Sequence, residues 1–146
     1  MKSILTLLLI TIVITACGQS QSPMKVNIDA KQKLNKFIQK SKFEAEPGTL
    51  FNGLSNSKLK SQLNDVINQA TKDFLSTINH QPTEKKFQDD IGIGLMRFNT
   101  FYNELDTEDR ERICTYFEEL MDCVGLQSSN GQLNEWMYDF DPTKKN

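Results

Sequence analysis

The chain has 146 residues, of which 38% are hydrophobic and 25% charged, and its formal net charge is −2. This composition is typical of a soluble globular protein. The charge is unevenly distributed, because residues 18–86 carry eleven Lys against six acids, whereas residues 87–146 carry five Lys or Arg against thirteen acids. The acidic second half argues against nucleic acid as a partner, since binding to phosphates requires a concentrated basic surface.

The N-terminus has the pattern of an export signal. Lys2 precedes an apolar run over residues 4–14, which is shorter than the about 20 apolar residues that a transmembrane helix requires. The run ends in Ile14-Thr15-Ala16-Cys17, which resembles the lipobox of bacterial lipoproteins. That resemblance implies that residues 1–16 are removed and that Cys17 receives acyl chains such as palmitate. The alternatives are an ordinary signal peptide whose mature end starts with cysteine, or the start of a buried helix.

The resemblance also predicts where the protein lies. Attachment of more than one acyl chain anchors a protein stably to a membrane, and Gly18 in place of Asp favours the outer membrane over the inner one if the source is a diderm bacterium. We therefore expect a protein of the cell membrane or outer membrane that faces the periplasm or the exterior. Its expected parts are a flexible tether over residues 17–28, a single domain over 29–142 and a disordered tail over 143–146.

Helical periodicity begins directly after the tether. Apolar residues at helical spacing behind Asp29 predict a short amphipathic helix over residues 29–40, with Asp29 as its cap. Pro-Gly and Asn-Gly pairs predict turns within a loop over residues 41–56. After Ser57, apolar residues recur at steps of three and four and predict a long helix that stops at His80.

Pro82 or Thr83 opens a third predicted helix, whose apolar face begins at Phe87. Gly92 and Gly94 interrupt this helix, and each weakens it by up to about 1 kcal/mol relative to Ala. Close crossing with a neighbouring helix is the usual reason for such glycines. A kink or the approach of a ligand is the alternative.

The fourth predicted helix has clear signals at both ends. Asp106 or Thr107 caps its start, and Gly125 fits a left-handed cap at its end. Cys114 and Cys123 lie nine positions apart within it. Because an α-helix rises about 1.5 Å per residue, their Cα atoms are separated by roughly 13 Å, whereas a disulfide permits at most about 7 Å. We therefore predict no bridge between them within one molecule.

A last short helix is predicted over residues 133–140, where Trp136, Met137 and Phe140 keep helical spacing. A strand is the alternative for this segment. Since no window shows sustained alternation with a period of two, the sequence predicts an all-α fold, a single helical bundle of four main helices plus a short C-terminal helix.

The C-terminal part of the domain carries a resemblance to a known family. The pattern comprises residues 105–126, Leu133-Asn134 and residues 137–142. It resembles an uncharacterised domain-of-unknown-function family of small helical bacterial proteins. The resemblance implies a helical fold and no assigned activity.

Few residues of the sequence suggest a catalytic or metal-binding site. His80 is the only histidine, and its place at a helix end predicts a capping role. No set of His, Cys and acidic residues has the spacing of a zinc site, so we predict neither a metal nor a cofactor.

One corner is crowded with acids: Glu104, Asp106, Glu108, Asp109 and Glu111. Helix capping and exposed ion pairs across residues 109–112 account for these acids. The alternatives are weak calcium binding, for which the loop spacing of an EF-hand is absent, and an envelope hydrolase that uses paired carboxylates.

With no metal or cofactor site predicted, the sequence favours a surface that binds a protein partner. Trp136 and Tyr138 are aromatic residues in a partly polar segment, and aromatic residues rimmed by acids such as Glu108 and Asp109 are common in protein interfaces. The alternative is that Trp136 and Phe140 complete the core while the tyrosines lie at its edge. We predict a lipid-anchored, non-enzymatic protein-binding module that acts as an inhibitor or immunity protein does.

Overall fold

A computed structural model describes residues 22–138 of the chain. These residues form five α-helices and no strand, which confirms the predicted all-α fold of four main helices and a short final one. The helices are α1 (Ala30–Gln39), α2 (Lys60–Asn79), α3 (Glu84–Phe98), α4 (Thr107–Val124) and α5 (Gln132–Tyr138). Short 3₁₀ helices precede α2 at Ser57–Leu59 and follow α3 at Asn99–Glu104.

Several predictions fall outside the described residues. They are the signal peptide over 1–16, the lipidation of Cys17, the tail over 143–146, and Phe140 at the end of the last predicted helix. Within residues 22–138, no helix combines the length and the apolar character that crossing a bilayer requires.

The segment before α1 is attached to the domain. The Met24 amide donates a hydrogen bond of 2.8 Å to the Pro82 carbonyl, and Met24 and Val26 are partly buried against the core. The side-chain amide of Asn27 donates to the Asp122 and Cys123 carbonyls at the end of α4. The flexible tether predicted over 17–28 therefore needs correction, because its last residues are packed on the helices instead.

α3 crosses α2 closely at Gly94, where the Phe117 side chain of α4 also reaches α3. A β-carbon added there would lie 2.6 Å from Phe117 Cζ and 3.2 Å from Ala70 Cβ. Phe117 and Ala70 are both fully buried, so neither has space to withdraw. The predicted reason for this glycine, close helix crossing, is confirmed.

The helix ends follow the predicted signals with one exception. Asp106 forms a capping box with Asp109 at the start of α4, and Gly125 adopts the left-handed conformation at its end with φ of 80°. His80 ends α2, and its ring Nδ1 lies 2.8 Å from the Ser76 carbonyl oxygen. Asp29 precedes α1 but makes no side-chain capping bond there, and its carboxylate pairs with Lys33 instead.

The loop over residues 41–56 is held by one face of α4. Asp109 accepts hydrogen bonds from the Ser55 amide and hydroxyl. Arg112 forms an ion pair with Glu46. The Tyr116 hydroxyl accepts a hydrogen bond of 2.6 Å from the Phe43 amide. We call this set, Asp109, Arg112 and Tyr116 with their loop partners, the loop clamp. The three α4 residues lie three and four positions apart, which places them on one side of the helix.

Candidate functional site

The structure does not bring the four predicted partner-binding residues together. Glu108 is exposed on the first turn of α4, and Asp109 is only 1% exposed. Trp136 is half-buried on the side of α5 that faces α3. Tyr138 is 60% exposed and lines a smaller cavity on the α4 side of the same helix.

The acidic corner is therefore different from the one that the sequence predicted. The Asp109 carboxylate makes two sets of hydrogen bonds. It closes the capping box with Asp106, and it accepts hydrogen bonds from the Ser55 amide and hydroxyl. The prediction of exposed ion pairs across residues 109–112 is wrong for Asp109 and Arg112, since Arg112 is only 8% exposed. Its guanidinium lies over the rings of Tyr116 and Phe51 at 4.6 and 5.5 Å from their centroids.

Tyr116 also differs from its expected place at the edge of the core. Its side chain is fully buried and packs edge-on against Phe37 and Phe43. Phe43 adopts a positive φ of 60°, and its amide is held by the Tyr116 hydroxyl. Tyr116 thus belongs to the loop clamp and is unavailable to a partner.

A largely apolar groove lies between α3 and α5. It has a volume of about 630 Å³. Its lining consists of Asp89, Gly92, Ile93, Leu95, Met96 and Asn99 from the α3 side and Gln132, Glu135 and Trp136 from α5. Apolar walls with a few polar groups at the margin are typical of sites that bind ligands or partner segments.

Two large apolar side chains of this groove are left in solvent. Ile93 is 42% exposed and Met96 is 62% exposed. They follow one another at a helical step of three, so they lie on the same side of α3, away from the stripe of Ile91, Leu95 and Phe98 that enters the core. Sequence reasoning missed these two residues. The available signal was a pair of large apolar side chains outside the buried stripe.

Trp136 is fixed at the wall of the groove. Its indole Nε1 donates to Asn99 Oδ1 at 2.7 Å, and its ring contacts Phe98 and Tyr102 edge-on with centroid distances of 6.3 and 5.4 Å. The Tyr102 hydroxyl donates to the Trp136 carbonyl at 3.3 Å. These contacts hold a half-buried aromatic ring in one orientation before any partner arrives, which lowers the entropy cost of binding.

The cysteines and the histidine do not form a reactive centre. Both cysteines are free thiols on the unbroken α4. Burial, with the nearby charges of Glu118 and Glu111, raises the pKa of the Cys114 thiol to about 12, so the reactive thiolate is scarce at neutral pH. Burial also raises the pKa of Cys123. Among residues 22–138, no three or more His, Cys, Asp or Glu side chains are grouped to hold a metal ion.

Comparison with protein families identifies the domain. The DUF4844 family, a domain of unknown function, matches residues 25–141. The chain belongs to the DUF4844 family. This confirms the predicted membership of an uncharacterised domain family, and the match begins within the segment that packs before α1. The comparison with curated proteins found no significant match.

The DUF4844 domain is also similar to a solved structure. This is the crystal structure of a DUF3571 family protein from Acinetobacter baumannii AYE, with 34% sequence identity and a TM-score of 0.68. The match covers 75% of this chain and 89% of the other. The shared helical fold supports the arrangement described above, and neither family description carries an activity.

Proposed function

We propose that this chain is a lipoprotein of the bacterial cell envelope whose DUF4844 domain binds another protein through the groove between α3 and α5, as inhibitor and immunity proteins bind their targets. The observation that carries the proposal is the exposure of Ile93 and Met96 beside the fixed ring of Trp136. A rigid aromatic anchor among exposed apolar side chains is the common composition of an interface centre.

The chemistry of the groove defines the partner segment that fits it. Ile93, Met96 and Trp136 offer apolar contacts, while Asp89 and Glu135 supply negative charge at the margin. The surrounding half of the chain is strongly acidic, with thirteen acids against five Lys or Arg over residues 87–146. The complementary occupant is an amphipathic segment of another protein, with apolar side chains on one face and Lys or Arg at its flanks. Opposite charges of this kind accelerate encounter and favour the correct partner.

The anchor rests on the sequence pattern at the N-terminus. Ile14-Thr15-Ala16-Cys17 resembles a lipobox, and acyl chains on Cys17 would hold the domain at the membrane surface. The segment from Met24 to Asn27 is bonded to Pro82 and to the end of α4, so this end of the bundle would lie nearest to the membrane. A partner would then be met in the envelope, in the periplasm or on the exterior.

The groove is tested by charge substitution with a matched control. Met96→Lys places an ammonium group on the apolar wall, and Leu50→Lys makes the same change at a side chain that is 93% exposed on the loop. Cross-linking of the tagged full-length chain in its own envelope, followed by mass spectrometry, identifies the captured protein. We expect capture to be lost with Met96→Lys and retained with Leu50→Lys.

Three results would overturn the groove proposal. They are equal capture by wild type and Met96→Lys, equal loss in both variants, and capture of a second copy of this chain alone. Sensitivity of capture to salt is a further expectation, since screening weakens attraction between an acidic margin and a basic segment.

The anchor is tested separately. Cys17→Ala removes the thiol that would carry lipid, so we expect loss of labelling by a radioactive fatty acid and release of the chain from the membrane fraction. An unlabelled wild type that is retained on the membrane as firmly as the variant would contradict the lipoprotein assignment and leave the groove proposal standing.

A further inference from the structure

A hollow of about 560 Å³ lies where the end of α1 meets the start of α2. Its lining includes four lysines and three serines: Lys40, Lys42, Lys58, Lys60, Ser41, Ser57 and Ser61. No acidic residue lines it. The hollow shares no lining residue with the groove between α3 and α5, so its role is independent of the proposed partner site.

Lys42 makes this hollow more than a group of surface lysines. The residue is 2% exposed, and its ammonium donates to the Ile38 and Lys40 carbonyls at 3.4 and 3.0 Å and to Asn68 Oδ1 at 2.9 Å. All three acceptors are neutral oxygens. A buried cation that lacks a carboxylate contact is costly, because desolvation of its charge is only partly compensated.

The pKa of Lys42 is lowered to about 8, chiefly by burial and to a smaller extent by the charge of Lys40, whereas the charge of Glu119 acts in the opposite direction. A bound anion would offset the cost of burying this charge and favour the charged form of the lysine.

The carboxylates near the hollow are paired outside its lining. The Glu119 carboxylate forms an ion pair with the Lys40 ammonium at an N–O distance of 2.8 Å, and Glu44 forms an ion pair with Lys60. In both pairs each side chain is about a third exposed or more, and ion pairs of this kind contribute little free energy. Lys40 and Lys60 are therefore able to turn toward a stronger anion without much loss.

Further donors are available at the mouth of the hollow. Within residues 22–138, the side chains of Ser57, Lys58 and Ser61 make no hydrogen bond. The positive end of the 20-residue α2 begins beside them, and helix dipoles favour anions at that end. Several hydroxyl and ammonium donors that line one hollow suit the multiple oxygens of a phosphate group better than a single carboxylate.

We propose that this hollow binds a phosphate-bearing anion, with Lys58, Ser57 and Ser61 as direct donors and Lys42 as the buried positive charge behind them. The phosphate would be free, as inorganic phosphate or pyrophosphate, or would belong to the headgroup of an anionic lipid. Both sources offer the same oxygen atoms to the same donors.

Calorimetric titration of the full-length chain in a zwitterionic detergent with inorganic phosphate and with pyrophosphate tests the free form. We expect saturable binding that weakens by at least about tenfold in Lys58→Glu, since a like charge replaces a donor at close range. Lys72→Glu makes the same charge change at an exposed position of α2 outside the hollow and should keep the affinity within about twofold. Lys58→Arg should restore binding, and equal melting temperatures show that all variants fold.

Vesicles of phosphatidylglycerol, with phosphatidylcholine vesicles as the reference, test the lipid form. Binding to phosphatidylglycerol that Lys58→Glu loses and Lys72→Glu retains would assign the phosphate to a headgroup, whether or not free phosphate binds. Absence of binding to every probe would overturn the proposal. Equal weakening by Lys58→Glu and Lys72→Glu would also overturn it, because diffuse attraction by the lysine-rich half of the chain would then be sufficient.

Discussion

The loop clamp and the groove between α3 and α5 use their side chains in opposite ways. In the clamp, the charged side chain of Asp109 is buried and hydrogen-bonded by Ser55 and Asp106. In the groove, the apolar side chains of Ile93 and Met96 are left in solvent. Burial of a charged group is expensive unless its bonds are made, whereas exposed apolar surface is retained where another molecule covers it. The clamp is therefore a device for stability, and the groove is the better candidate for binding.

The largest expected effect separates two adjacent acids of α4. Asp109→Ala removes the capping box and the bonds to Ser55, so we expect the free energy of unfolding to fall by about 2–4 kcal/mol. Glu108→Ala, one position earlier at an exposed side chain, should cost less than about 0.5 kcal/mol. Urea denaturation of both variants measures the difference. Equal losses would show that Asp109 is not part of a clamp.

Two glycines of α3 provide the next comparison. Gly94→Ala places a β-carbon against the buried Phe117 ring, and overpacking of this kind costs about 1–3 kcal/mol. At Gly92 the added atom would meet the Oε1 end of the Gln132 side chain beside the groove, whose Nε2 donates to the Gln88 and Ser129 carbonyls. The end of a side chain moves more easily than a buried ring, and better helix propensity offsets part of the loss of these bonds. We therefore expect Gly92→Ala to cost less than Gly94→Ala. A larger loss of melting temperature at Gly92 than at Gly94 would contradict the described packing.

A smaller effect is expected from pH. The pKa of Lys42 is lowered from 10.5 to about 8 in the folded protein. Between these two values the unfolded chain holds the proton and the folded chain has released it. The free energy of unfolding therefore rises with pH across this window. Because other groups also titrate there, the measurement is the difference between wild type and Lys42→Met in urea at pH 7, 8.5 and 10. A difference that stays constant or moves against wild type would refute the lowered pKa.

The smallest stability change is expected at the groove. Met96→Lys alters a side chain that is mostly in solvent, so the free energy of unfolding should change by less than about 0.5 kcal/mol. Loss of partner capture with unchanged unfolding would sharpen the contrast with the clamp. A loss of stability as large as that of Asp109→Ala would show that the groove wall belongs to the core.

Sequence patterns predicted the helices well because their signals are local. The steps of three and four, the capping acids at Asp106 and the left-handed Gly125 lie within a few residues of the structure they specify. The separation of Cys114 and Cys123 followed from helix rise alone. The loop over residues 41–56 had no periodicity, so the burial of Lys42 gave no sequence signal.

The candidate sites depended on contacts between distant parts of the chain. Asp109 and Glu108 are indistinguishable by type and position on a helix start, and the choice between them is made by Ser55, which lies 54 positions earlier. The groove exists because α5 packs beside α3 and leaves Ile93 and Met96 uncovered.

By itself, the sequence determined an all-α domain and both ends of α4, and it predicts an N-terminal lipid anchor. Only the tertiary structure decided that Asp109, Arg112 and Tyr116 hold a loop, that Met24 to Asn27 pack on the domain, and that Trp136 and Tyr138 face different helices. The physical reason is the separation along the chain over which each interaction acts. Backbone hydrogen bonding and capping act over one or two helical turns, whereas burial of a side chain is determined by which distant element packs against it.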